Sequence, residues 1–228
     1  MTEESYLNIV SQTNADIDNL WSETIENEWF RELVIKHLTT NDKINVYYHS
    51  YLILLSATKE FPVVFYPYWS EIEQLLFHEN SYHRKYASDI IANLICIDTE
   101  DRFLSIFDAY YQQLDDEKIS NKSNCILNSI KIVKHKPKLS EKVILKIIGS
   151  LQFSENTEKQ QTYLLSIFNK FLNEVQIDEI ETIETAVNFL NLVNQHTQSE
   201  KLKKEMAKLV QKFRKCQQVT RGLAQAGV

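Results

Sequence analysis

The residues that come nearest to chemistry are His78-Glu79-Asn80-Ser81-Tyr82-His83. Two histidines around a glutamate suggest a zinc-protease helix. That motif needs its histidines four apart, so that one helix face presents both to the metal. Here they are five apart, across a stretch that reads as a turn between helices, and a surface turn is the reading the spacing favours. Cys96, Cys125 and Cys216 are widely spaced, with no Cys-x-x-Cys unit. They predict free thiols in a reducing compartment rather than disulfides or structural zinc. Asp115-Asp116-Glu117 is a dense carboxylate group and reads as a solvated turn. The sequence has no Gly-x-Ser-x-Gly elbow and no Gly-rich phosphate loop, and no cysteine has an evident histidine partner. The expectation is a chain without catalytic, cofactor-binding or metal-binding residues.

Two other groups of residues suit binding rather than catalysis. Phe61-Pro62-Val63-Val64-Phe65-Tyr66-Pro67-Tyr68-Trp69, preceded by Tyr47, Tyr48 and Tyr51, is dense in aromatic rings. Such rings either fill a core or anchor a partner, and Tyr66 and Trp69 are candidates for the second role. Tyr47 and Tyr48 are adjacent, so both cannot face one core, and Tyr110-Tyr111 likewise predicts one outward ring.

The second group is basic. Residues 1–118 hold 8 Lys/Arg and 21 Asp/Glu, whereas residues 119–228 hold 17 and 10. Lys131, Lys134, Lys136, Lys138 and Lys142 are candidate anion-binding residues, and the stretch from Lys201 to Lys215 adds a second basic run. The alternatives are an electropositive surface for an acidic partner, a solvated helix face with lysines near helix C-termini, and head-to-tail self-association of a dipolar molecule. The preference for Lys over Arg, and the acidic first half, weigh against a nucleic-acid duplex.

What must position these residues is a stack of helices. Leu54-Leu55, Ile90-Ile91, Ile126-Leu127 and Leu164-Leu165 recur at spacings of 36, 36 and 38, and Leu209-Val210 follows 45 later. Each doublet sits in a helical pattern, with another helical pattern between successive doublets. Two helices per 35–45 residues is the signature of an α-solenoid. Only three Gly and three Pro are present, which excludes turn-rich sandwiches and barrels.

The spacing predicts helical pairs over 18–38 (broken near Glu26) and 42–59, 62–78 and 82–97, 100–114 and 117–135, 140–151 and 156–175, and 178–195 and 199–216. A short capping helix is expected over 4–13. Asp42, Ser81, Ser140, Asp178 and Ser199 are the expected N-caps, and Pro67 should kink its helix. One domain over 1–216 and a fraying tail over 217–228 complete the expectation. The acidic start is not a signal peptide, and the longest apolar run, Tyr51–Leu55, is far short of a membrane span, so a cytoplasmic protein is expected.

The stretch from Glu79 to Leu94 resembles the second helix of a HEAT repeat: a polar turn, then a basic residue, a small residue and aliphatics, carried here by Arg84, Ala87, Ile91 and Leu94. At the Arg84 position the other periods carry Tyr48, Asn121 and Glu158 or Lys159, and they match in their aliphatic positions. The resemblance covers about residues 18–216. It implies an all-α right-handed superhelix of about five helical hairpins. It also implies a protein- or peptide-binding scaffold whose second helices line the concave face, which singles out Tyr48, Arg84 and Asp89. A minority of the family binds or repairs nucleic acid. The HEAT-like DNA glycosylases place Trp, Asp and Arg around an extruded base. Trp29, Trp69 and Asp89 are available for that alternative, without a triad that maps onto this sequence.

Overall fold

The computed structural model describes residues 1–152, 156–175, 180–197 and 199–225; for Gln152, Ile180, His196 and residues 216–225 it gives the backbone alone. The chain is all-helical, with no strand among the described residues. It forms two compact units, Met1–Tyr110 and Tyr111–Val228.

The first unit contains α1 (Glu3–Val10), α2 (Leu20–Glu26), α3 (Glu28–Thr40), α4 (Ile44–Glu60), α5 (Trp69–Gln74), α6 (Ser81–Leu94) and nearly all of α7 (Arg102–Tyr111). Asn27 makes the expected break. Its backbone N–H closes α2 on the Glu23 carbonyl, and its side chain accepts from Phe30 N at 3.1 Å to cap α3. Around Pro67 the structure departs from the expected single helix. Two short 3-10 turns (Pro62–Val64 and Tyr66–Tyr68), the two turns of α5 and a further 3-10 turn (Leu75–Phe77) replace it. Proline has no N–H to donate and its ring crowds the preceding turn, so the chain bends instead of continuing. α3 and α6 both pack against α4, and α1 joins them through Tyr6, whose hydroxyl meets Ser50 Oγ at 2.6 Å.

The second unit contains α8 (Ile119–His135), α9 (Ser140–Gln152), α10 (Glu158–Glu174), α11 (Ile180–His196) and α12 (Glu200–Gln225). α8 packs on α10 and α10 on α12, while α9 packs on α11. α12 runs past the expected end at Cys216 to Gln225; residues 226–228 of the expected tail lie outside those described.

The aliphatic doublets are core residues, with two exceptions. Leu54, Ile90, Ile91, Ile126, Leu164, Leu165 and Leu209 are nearly inaccessible, but Leu55 is only half-buried and Leu127 is 37% exposed. Exposing about a third of such a side chain forgoes roughly 0.5–1 kcal/mol of burial. Tyr110 and Tyr111 correct a second expectation, because both are buried. Tyr110 donates to the Ser88 carbonyl in the first unit, and the Tyr111 hydroxyl meets Ser129 Oγ at 3.0 Å in the second. Each hydroxyl finds a buried partner, so neither ring needs water.

The caps also shift. Asn80, not Ser81, caps α6 by accepting from Tyr82 N. Asn41, rather than Asp42, accepts from Lys43 N ahead of α4. Ser140 is already helical, Ser199 caps α12, and Asp178 lies outside the described residues. Among the described residues no helix is long and apolar enough to cross a membrane.

Candidate functional site

The densest aromatic group lies where α4 packs against α6. Tyr47 and Tyr51 stand one turn apart on α4, as do Tyr82 and Tyr86 on α6. Across the helices Tyr51 and Tyr86 stack with ring centroids 3.8 Å apart and planes within 10°. Tyr48 and Tyr82 flank Tyr86 at 6.4 and 6.3 Å. Tyr47, Tyr51 and Tyr86 are buried, whereas Tyr48 is 41% and Tyr82 59% exposed. Ile44, one turn before Tyr48, is 69% exposed. The result is a buried aromatic floor with an exposed apolar rim.

A polar clamp fixes that floor. Tyr51 donates to Asp89 Oδ2 at 2.7 Å, and the Lys85 ammonium donates to the same oxygen at 2.8 Å. Lys85 also sits 5.5 Å from the Tyr51 ring centre and 6.0 Å from that of Tyr86. Asp89 is buried, so its charge needs these donors. Burial, and then the neighbouring Asp89 carboxylate, push the Tyr51 phenol far above its usual range, and burial does the same for Tyr86. Both phenols stay protonated at neutral pH, so this arrangement presents shape and hydrogen bonds rather than a base.

The two histidines lie beside this floor. His78 and His83 stack at 4.2 Å, and His83 also faces Tyr47 at 4.5 Å. His78 Nδ1 accepts from Asn80 N at 3.0 Å, and His83 Nδ1 is buried without a hydrogen-bond partner. Burial pushes His83 down to about 4, helped by the adjacent His78. The rings face one another instead of converging on a common point, and among the described residues no group of three His, Cys, Asp or Glu side chains is placed to hold a metal ion. Arg84 closes the turn: its Nη1 donates to the His78 and Glu79 carbonyls at 2.8 and 2.7 Å.

The other expected contact residues have internal roles. Trp69 is 1% exposed and donates to Glu73 Oε2, so it is a core residue and not a partner contact. That also removes it from any base-stacking role, and Asp89 is engaged by Tyr51 and Lys85. Half-buried Tyr66 donates to Asp98 Oδ1 at 2.7 Å beneath the Arg102 guanidinium, 4.7 Å from its ring centre. Burial and the Asp98 bond push Tyr66 up to about 12. Asp98 also accepts from Arg102 N at 2.9 Å and Phe103 N at 3.1 Å, capping α7 after Asp101, whose φ of 54° is a left-handed value that Asp tolerates. Asp116 is likewise not solvated. It is buried, accepting from Lys118 N and the Asn121 amide.

The five lysines follow the turn from the end of α8 to the start of α9. Lys131, Lys134, Lys138 and Lys142 are exposed, and Lys136 is half-buried.

Sequence reasoning missed Tyr82, Tyr86 and Lys85. The recurrence of Tyr at one-turn spacing on α4 and α6 was the available signal, but which rings meet depends on how the helices pack. No protein-family model matches this chain, and no curated protein matches it.

Proposed function

We propose that this chain is a non-enzymatic protein- or peptide-binding module, built as a stack of HEAT-like helical hairpins, and that the α4/α6 tyrosine face is its contact surface. The observation that carries the reading is the pair of exposed rings, Tyr48 and Tyr82, held on either side of buried Tyr86. Large amphipathic rings on a preorganised floor lose little conformational entropy on binding and are typical interface anchors. Two helix rows in the second unit, α8–α10–α12 and α9–α11, support the repeat reading. Free thiols at Cys96 and Cys125 suit a reducing, cytoplasmic setting.

Affinity capture from native lysate, followed by titration of the recovered protein, tests the proposal. Tyr48→Ala and Tyr82→Ala should each weaken binding about tenfold or more. Unchanged affinity in both variants would reject it. The exposed lysines between α8 and α9 favour nucleic-acid binding as a second reading. Oligonucleotide affinity that falls steeply with salt would support it, and no binding at low salt would remove it.

A further inference from the structure

Two exposed helical faces, one in each unit, have complementary chemistry. On α3, Trp29 is 48% exposed, and Glu28 and Glu32 beside it are exposed, as is Glu26 at the end of α2. An exposed tryptophan among carboxylates is a poor surface for water and a good one for a cation: the indole face attracts ammonium groups, and the carboxylates select them. On α12, Leu202, Met206, Leu209 and Phe213 are buried against the rest of the second unit. The opposite face carries exposed Lys201, Lys204, Lys208 and Lys215, with exposed Glu200, Ala207 and Gln211 among them, and Lys208 also pairs along the helix with Glu205 at 3.1 Å.

The spacings also agree. Glu28 and Glu32 are four residues apart on one helix, and Lys204 and Lys208 are four apart on the other. Each pair therefore rises about 6 Å along its axis, so both ion pairs can form at once between two packed helices. Ala207, next to Lys208, leaves room for an indole ring.

We infer that the α12 lysine face of one copy of this chain docks on the Trp29–Glu28–Glu32 face of a second copy. The acidic first half and basic second half of the sequence give the encounter a favourable long-range field. Each copy carries one face of each kind, so the contact is head-to-tail and repeats from copy to copy.

Sedimentation of the full chain over a range of concentrations tests this at about 20 mM salt, where charges act over roughly 20 Å, and at about 500 mM, where they are screened within a few Å. The expected result is a mass that climbs with concentration at low salt and returns to monomer at high salt. Glu28→Lys with Glu32→Lys, Lys204→Glu with Lys208→Glu, and Trp29→Ala should each abolish the climb. Mixing the two charge-reversed proteins should restore it, because the mixture again contains wild-type faces of both signs. All these substitutions are on exposed positions, and circular dichroism melting verifies that the variants remain folded. A wild-type chain that stays monomeric at low salt, association that either reversal leaves intact, or a mixture that fails to associate would overturn the inference.

Discussion

The first unit contains two versions of one side-chain arrangement, and they serve different ends. Tyr51 donates to Asp89 with Lys85 beside its ring, and Tyr66 donates to Asp98 with Arg102 above its ring, both bonds at 2.7 Å. The difference lies in the backbone. Asp98 precedes α7 and takes two main-chain N–H groups that the helix cannot satisfy itself. Asp89 sits within α6, where the main chain has no free donor to offer, so its donors are the side chains of Tyr51 and Lys85, and Tyr51 stacks on the Tyr86 ring that exposed Tyr48 and Tyr82 flank. The same trio acts as a helix cap in one setting and as the support of a candidate binding face in the other.

Acid should sharpen this comparison most. His83 is held neutral at about 4, against about 6.5 in an unfolded chain, so only the unfolded state takes up its proton as pH falls between those values. Stability is full above about 6.5 and drops by roughly 3 kcal/mol by pH 4 from this group. Buried His37, also held down by burial, adds in the same direction. Because His83 packs on Tyr47 and Tyr86, hydrogen exchange should show α4 and α6 loosening before the Asp98 cap does. His83→Phe should flatten much of the pH dependence of urea unfolding; a profile like that of wild type would contradict this.

Breaking the cap comes next. Asp98→Ala removes the partners of two N–H groups and of the Tyr66 hydroxyl and should cost about 2 kcal/mol in urea unfolding. Asp89→Asn keeps an acceptor for Tyr51 but loses the charge partner of Lys85, so about 1 kcal/mol is expected. The smallest effect on stability is expected at the rim. Tyr48→Ala and Tyr82→Ala should each change stability by less than about 1 kcal/mol while weakening partner binding. A rim substitution that destabilises as much as Asp98→Ala would place those rings in the structural class.

The helices themselves were legible because apolar spacing is local information. Ile90, Ile91 and Leu94 announce α6, and its basic-then-small pattern at Arg84 and Ala87 suggested the repeat family. Local chemistry also placed the break before α3 and the bend at Pro67. What stayed hidden depends on neighbours distant in sequence. Trp69 reads as core or as anchor, and only its burial decides for the core. One ring of Tyr110-Tyr111 reads as outward until Ser88 and Ser129 supply both hydroxyls with buried partners. Asn80 displaces Ser81 as the cap by a single residue, within the range over which helix ends are poorly defined by pattern. Tyr51 stood among the noted aromatic residues, yet its stacking on Tyr86 joins positions 35 apart and required the α4–α6 packing.

The central claim, that the α4/α6 face meets a partner while the Tyr66 cluster is internal architecture, is tested most directly by site-specific photo-crosslinking. A photoreactive phenylalanine analogue would be placed at position 48, 82 or 66 in turn and irradiated in native lysate. The account predicts one common protein adduct from positions 48 and 82, and none from position 66. No adduct from either rim position, or the same adduct in equal yield from position 66, would contradict it.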